Sequence, residues 1–96
     1  MLIIAGYVTV DATERDGFVA AHHDLLGRAR QAPGCLDVAI TADPLDPVRA
    51  NVYERWESED HLTAWRRIAS APDTGGSILG GHVMRYDVAG ERPPFD

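Results

Sequence analysis

The sequence predicts an α+β fold of the ferredoxin-like type, β-α-β-β-α-β: a four-stranded antiparallel sheet with both helices on one face. Three observations predict it. Short runs rich in apolar and β-branched residues occupy 2–10, 35–42, 49–56 and 82–88. Two longer stretches, 13–32 and 59–70, repeat their apolar residues at helical spacing. Between the second and third runs, Asp43-Pro44-Leu45-Asp46-Pro47 leaves room only for a tight turn, so those two strands form a hairpin.

Residues 2–10 form a strand with few charges, which suits a central position. Leu2, Ile4, Gly6, Val8 and Val10 share one of its faces; Ile3, Ala5, Tyr7 and Thr9 share the other. The following stretch reads as one long helix over 13–32. Asp11 or Thr13 caps it, and Glu14 and Asp16 suit its positive start. Its apolar stripe runs through Phe18, Val19, Ala21, His22, Leu25, Leu26, Ala29 and Ala32, and Pro33-Gly34 ends it. Ser58 caps a second helix over 59–70, with Leu62, Trp65, Ile68 and Ala69 facing inward. The Gly-rich segment 71–81 predicts a mobile loop, 82–88 the last strand, and 90–96 a polar tail.

The chain has 96 residues, 45% of them hydrophobic and 25% charged, which suits one globular domain spanning 1–96. The net charge of −6 opposes contact with phosphate backbones, so nucleic acid is not an expected partner. All nine basic residues are arginines, which removes lysine Schiff-base chemistry. Cys35 is the only cysteine, so neither an intrachain disulfide nor a multi-cysteine metal site can form. The N-terminal apolar run is short, lacks a basic leader and reads as a strand, and no stretch is long enough to span a bilayer. A cytoplasmic protein without a membrane partner is the expectation.

Two helices cannot cover both faces of the sheet. The free face carries apolar residues, and pairing with a second copy is the symmetric way to cover it. A homodimer is therefore expected.

The chain resembles the antibiotic-biosynthesis-monooxygenase family of dimeric α+β barrels. The first helix ends in Ala32-Pro33-Gly34-Cys35, similar to the family's small-Pro-Gly-Cys break. The third strand ends in Tyr53-Glu54-Arg55-Trp56, similar to its aromatic-Glu-x-Trp signature, and Trp56-Glu57-Ser58-Glu59-Asp60-His61-Leu62 resembles its Trp-acidic-cap-helix junction. The resemblance implies pairing into a dimeric α+β barrel, with a pocket in each subunit between the sheet and its own helices. There are departures. Trp65 stands near the place where many members carry a late helical histidine. Haem-degrading members carry an Asn on the first strand, where this chain has Gly6 and Tyr7, which argues against haem degradation.

His22 lies in the first helix's apolar stripe, where it either packs against a backbone carbonyl or takes a proton from a phenolic or enolic substrate. His61, on the edge of the second helix, either stays at the surface or hydrogen-bonds a substrate oxygen. These two are the candidate catalytic residues. Phe18, Leu26, Trp56 and Trp65 are candidate pocket walls, and as aromatics or core residues they equally serve packing. Tyr7, Tyr86 and Asn51 are candidate substrate contacts. Asn51, Tyr53 and Arg55 share one face of the third strand, and Val52, Glu54 and Trp56 share the other. Alternation leaves open which face meets the helices. Arg85 reads as structural.

No phosphate loop, dinucleotide fingerprint, metal-ligand spacing or nucleophile elbow is present in the sequence. The resemblance and this lack of motifs lead to one expected function: a cofactor-independent monooxygenase acting with O₂ on an electron-rich aromatic, quinol or polyketide. Its ligand is then small and aromatic or quinol-like, with neither metal nor cofactor. A non-enzymatic ligand-binding or structural dimer, and a cofactor-free isomerase or cyclase, are the alternatives.

Overall fold

The computed structural model describes residues 1–74 and 77–95. The elements run β1 (Leu2–Val10), α1 (Arg15–Ala21), α2 (His23–Arg30), β2 (Cys35–Ala42), β3 (Arg49–Trp56), α3 (Glu59–Ile68) and β4 (Ile78–Asp87). The strands form one antiparallel sheet in the order β2-β3-β1-β4. The ferredoxin-like α+β plan expected from the sequence is thus present, with two corrections to its elements; in addition Ile68, expected to face inward from the second helix, is 67% exposed.

The first is that the long helix is broken at His22, which has φ −90° and ψ 0°. A regular helix would send the His22 amide to the Phe18 carbonyl. Instead the His22 ring takes that carbonyl, Nδ1 to O at 2.8 Å. The His22 amide turns to Val19 O at 3.1 Å, one residue short. Side chain and backbone compete for one acceptor, and the helix tightens locally into a 3₁₀-type turn.

The second correction concerns the Gly-rich segment. Of the expected loop, Gly75 and Gly76 lie outside the described residues. Residues 78–81 are strand, pairing Ile78 with Val10, Gly80 with Thr9 and Gly81 with Val8 across a register shift. Gly81 has φ +151°, and a Cβ there would sit 2.5 Å from the Tyr7 carbonyl oxygen. Only glycine lets the two backbones approach this closely.

The cross-strand register decides the faces. Leu2 pairs with Trp56, Ile4 with Glu54 and Gly6 with Val52, while Val38 pairs with Glu54 and Ile40 with Val52. Leu2, Ile4, Val38 and Trp56 pack with Ala29, Leu62 and Trp65 in the main core. A second cluster of Val10, Phe18 and Ala50 lies under α1. Val52, Glu54 and Trp56 therefore face the helices. Asn51, Tyr53 and Arg55 lie on the other face, beside Tyr7, Ala5 and Ile3 of β1 and His82, Met84 and Tyr86 of β4. No described element covers that face: Met84 is 49% and Tyr86 51% exposed. All ten residues of the edge strand β4 are exposed.

The α3 N-terminus follows the sequence expectation: Ser58 Oγ accepts the His61 amide at 3.2 Å. Pro33-Gly34 turns the chain into β2. Gly34 has φ +79°, and a Cβ there would lie 2.2 Å from Cγ of His61. The Gly34 carbonyl accepts the Glu57 amide at 2.8 Å, tying the break to the end of β3.

Candidate functional site

A small cleft of about 70 Å³ opens between the helices and the β2–β3 half of the sheet. Leu25, Leu26 and Ala29 of α2 form one wall, Val38, Ile40 and Val52 the floor, and Trp65 of α3 the far side. The lining is apolar apart from Tyr53, whose side chain alternation puts on the opposite sheet face, and one carboxylate, Glu54.

Glu54 reaches the cleft because alternation on β3 gives it the same parity as the fully buried Trp56. A buried indole N–H needs an acceptor. Trp56 Nε1–H donates to Glu54 Oε1 at 3.0 Å, so the two side chains hold each other. Among the described residues, no arginine or histidine forms an ion pair with Glu54. Its charge also reaches Cys35. Burial chiefly, then Asp37 and Glu54, hold that thiol above its ordinary value against the opposing pull of Arg30. The thiol is thus protonated at neutral pH, which makes Cys35 a poor nucleophile.

Trp65 stacks on Trp56 with centroids 6.4 Å apart and planes inclined by 25°. The Arg28 guanidinium lies 5.7 Å from the Trp65 ring centroid, near the range of a cation–π contact.

The candidate residues from the sequence distribute over four places. Leu26 and Trp65 line the cleft, and Trp56 stands behind Glu54. His22 and Phe18 lie at the α1–α2 break, rings 4.7 Å apart. The bond to Phe18 O makes Nδ1 the protonated nitrogen of a neutral His22 ring, which leaves Nε2 as an acceptor. His61 lies against Gly34. Ser58 Oγ and its Nδ1 are hydrogen-bonded at 2.7 Å, and its Nε2 faces Glu57 at 3.9 Å. Tyr7, Asn51 and Tyr86 are on the opposite face of the sheet from the cleft.

Asn51 is held there by charge. Arg49 Nε donates to its Oδ1 at 2.7 Å, and its Nδ2 donates to Asp43 Oδ1 at 2.9 Å. The Arg49 guanidinium also lies over the Tyr7 ring at 4.2 Å. Asp43 closes the hairpin by accepting the Leu45 and Asp46 amides. The Asn51 bond, then those two amides, hold its carboxyl below the usual carboxylate range.

The family model for antibiotic biosynthesis monooxygenases matches residues 1–70.

The chain belongs to the antibiotic biosynthesis monooxygenase family.

Solved structures agree on the fold. A provisionally assigned antibiotic biosynthesis monooxygenase of Nitrosomonas europaea superposes with a TM-score of 0.80 at 16% identity, over 93% of this chain and 99% of that one. Another from Chloroflexus aurantiacus has 0.77 at 22%, over 96% of each chain. A haem degrader of Mycobacterium tuberculosis, solved with two haems in its active site, has 0.69 at 14%, over 97% and 100%. No curated relative matches the sequence.

Within this family member, Glu54 is the carboxylate of the cleft, and it is not among the residues singled out from the sequence. Its signal was present as the Glu-x-Trp spacing, which sets carboxylate and indole side by side on one strand face. What the spacing lacked was the parity of that face relative to the helices.

Proposed function

We propose that this protein is a monooxygenase that works without a cofactor, as a homodimer, on an electron-rich aromatic, quinol or polyketide substrate. The observation that carries this reading is the apolar cleft with a single uncompensated carboxylate and a tryptophan wall, set in a member of this family. A flat ring between Leu26 and Trp65 is the ligand such walls favour.

In this chemistry the substrate supplies the electrons. A base takes its acidic proton, the carbanion or enolate passes one electron to O₂, and the radical pair combines. For a ring methylene the balance is one CH₂ and one O₂ giving one C=O and one water. The protein supplies the pocket, the proton acceptor and donors for the developing oxyanion. His22 through Nε2 and His61 through Nε2–H are proposed in the acceptor and donor roles, and each must turn toward the cleft to serve. The same reading leaves Tyr7, Asn51 and Tyr86 as contacts at the subunit interface, because they occupy the uncovered face.

Haem does not fit the cleft as an iron centre. None of the described lining residues is a histidine, cysteine or methionine able to serve as an axial ligand, and the one tyrosine, Tyr53, has its side chain on the opposite sheet face by strand alternation. No step is assigned to haem.

The test is oxygen uptake by purified, flavin-free and metal-free protein with a panel of quinols and anthrones. Consumption of one O₂ per substrate with one labelled oxygen in the product supports the reading. No uptake across the panel overturns it. The small cleft, well below the roughly 300–1,000 Å³ of ordinary ligand pockets, favours the non-catalytic dimer as the second reading.

A further inference from the structure

We propose that Glu54, which already lines the cleft whereas His22 must first turn toward it, is the first acceptor of the ligand's proton, with Trp56 as its positioning residue; this rests on the reading of the cleft as a site for acidic aromatic ligands.

The geometry separates the roles of the two carboxylate oxygens. Trp56 Nε1–H occupies Oε1 at 3.0 Å from a fully buried ring, so the carboxylate cannot swing away without orphaning an indole donor in the core. Among the described residues no hydrogen bond to Oε2 is formed, and Glu54 lines the cleft. An acidic C–H or O–H group of a ring against Trp65 and Leu26 meets that free oxygen.

The electrostatic setting points the same way. A structural carboxylate facing apolar walls is normally paired with a cation. Glu54 has none among the described residues, and its one donor is a neutral indole. The nearby Arg30 is engaged instead with the Val38 carbonyl at 2.8 and 3.1 Å and with Asp37 at 3.9 Å. When a ring covers the cleft and displaces water, the carboxylate keeps its charge with a single hydrogen bond. Accepting a proton from the ligand discharges it. His22 has no comparable position, since its Nδ1 is committed to Phe18 O at the helix break.

The step involves no oxidation. The ligand C–H or O–H bond breaks, its proton goes to Glu54 Oε2, and the electron pair stays on the ligand as an enolate or phenolate. Return of a solvent-exchanged proton from the same carboxyl restores the ligand.

That reversibility gives a test independent of oxygen. The full-length protein is mixed anaerobically with anthrone in D₂O, and loss of the methylene proton signal is followed by NMR. Glu54→Gln keeps a carbonyl acceptor for the Trp56 indole and so preserves the fold, which tryptophan fluorescence checks. We expect the parent to accelerate exchange and Glu54→Gln to lower that rate about 10²-fold or more, as for loss of a general base. Glu54→Ala should recover part of the rate with added formate, which a purely structural glutamate would not show. Equal exchange by the parent and Glu54→Gln, or no acceleration by the parent, overturns the proposal. Acceleration that depends on Glu54 without any oxygen uptake upholds it while overturning the monooxygenase reading.

Discussion

Replacing Gly34 by alanine tests how the Pro-Gly break is coupled to α3. Two costs add. At φ +79° a β-carbon is disfavoured by about 1–2 kcal/mol. The new methyl would also lie 2.2–2.5 Å from Cγ, Cδ2 and Cβ of His61, so the ring must leave. Moving it breaks the 2.7 Å hydrogen bond between Ser58 Oγ and His61 Nδ1, worth about 0.5–1.5 kcal/mol. Some of the Ser58 cap, about 1 kcal/mol when intact, goes with it. The expected loss is about 2–4 kcal/mol, measured by urea unfolding at fixed protein concentration. In a His61→Gly background, which removes the His61 Cβ as well as the ring, the steric part vanishes, so Gly34→Ala should then cost only the backbone share of about 1–2 kcal/mol. A loss below about 1 kcal/mol in the parent, or an equal loss in both backgrounds, would refute the coupling.

Three further expectations use the same geometry. His22→Leu frees the Phe18 carbonyl for the main chain, so α1 and α2 should join; far-UV circular dichroism should gain helix, with stability within about 1.5 kcal/mol of the parent because an apolar ring site is refilled. The Asp43 carboxyl is lowered in the folded state, so its contribution is fully present above the ordinary aspartate value of about 3.9 and is lost as pH falls through the lower folded value. Asn51→Ala removes the largest cause of that lowering and should flatten the stability–pH curve below about pH 4, read from urea midpoints. Met84→Asp places a charge midway along the edge strand β4 on the uncovered sheet face, and sedimentation velocity should show monomer where the parent sediments as dimer; a monomeric parent would remove the basis for pairing.

The order and type of the elements followed from the chain alone, because each rests on local physics. Alternation marks strands, Ser58 beside an acidic turn starts α3, Pro33-Gly34 stops the preceding helix, and a Pro-stiffened link forces the β2–β3 hairpin. The Glu-x-Trp spacing likewise put Glu54 and Trp56 on one face. Three features needed the third dimension. Which face of β3 meets the helices depends on its register with β1, since a period of two defines two faces but not their surroundings. Gly80 and Gly81 read as loop because glycine weakens an isolated strand, yet here they join β4, where backbone pairing with β1 requires their close approach. The helix breaks at His22 because a ring nitrogen, buried beside Phe18, takes a carbonyl that sequence spacing assigns to the main chain. Local propensity specified the pieces; the partners of each polar group, and so the setting of Glu54, came from residues far apart in the chain brought within hydrogen-bonding distance.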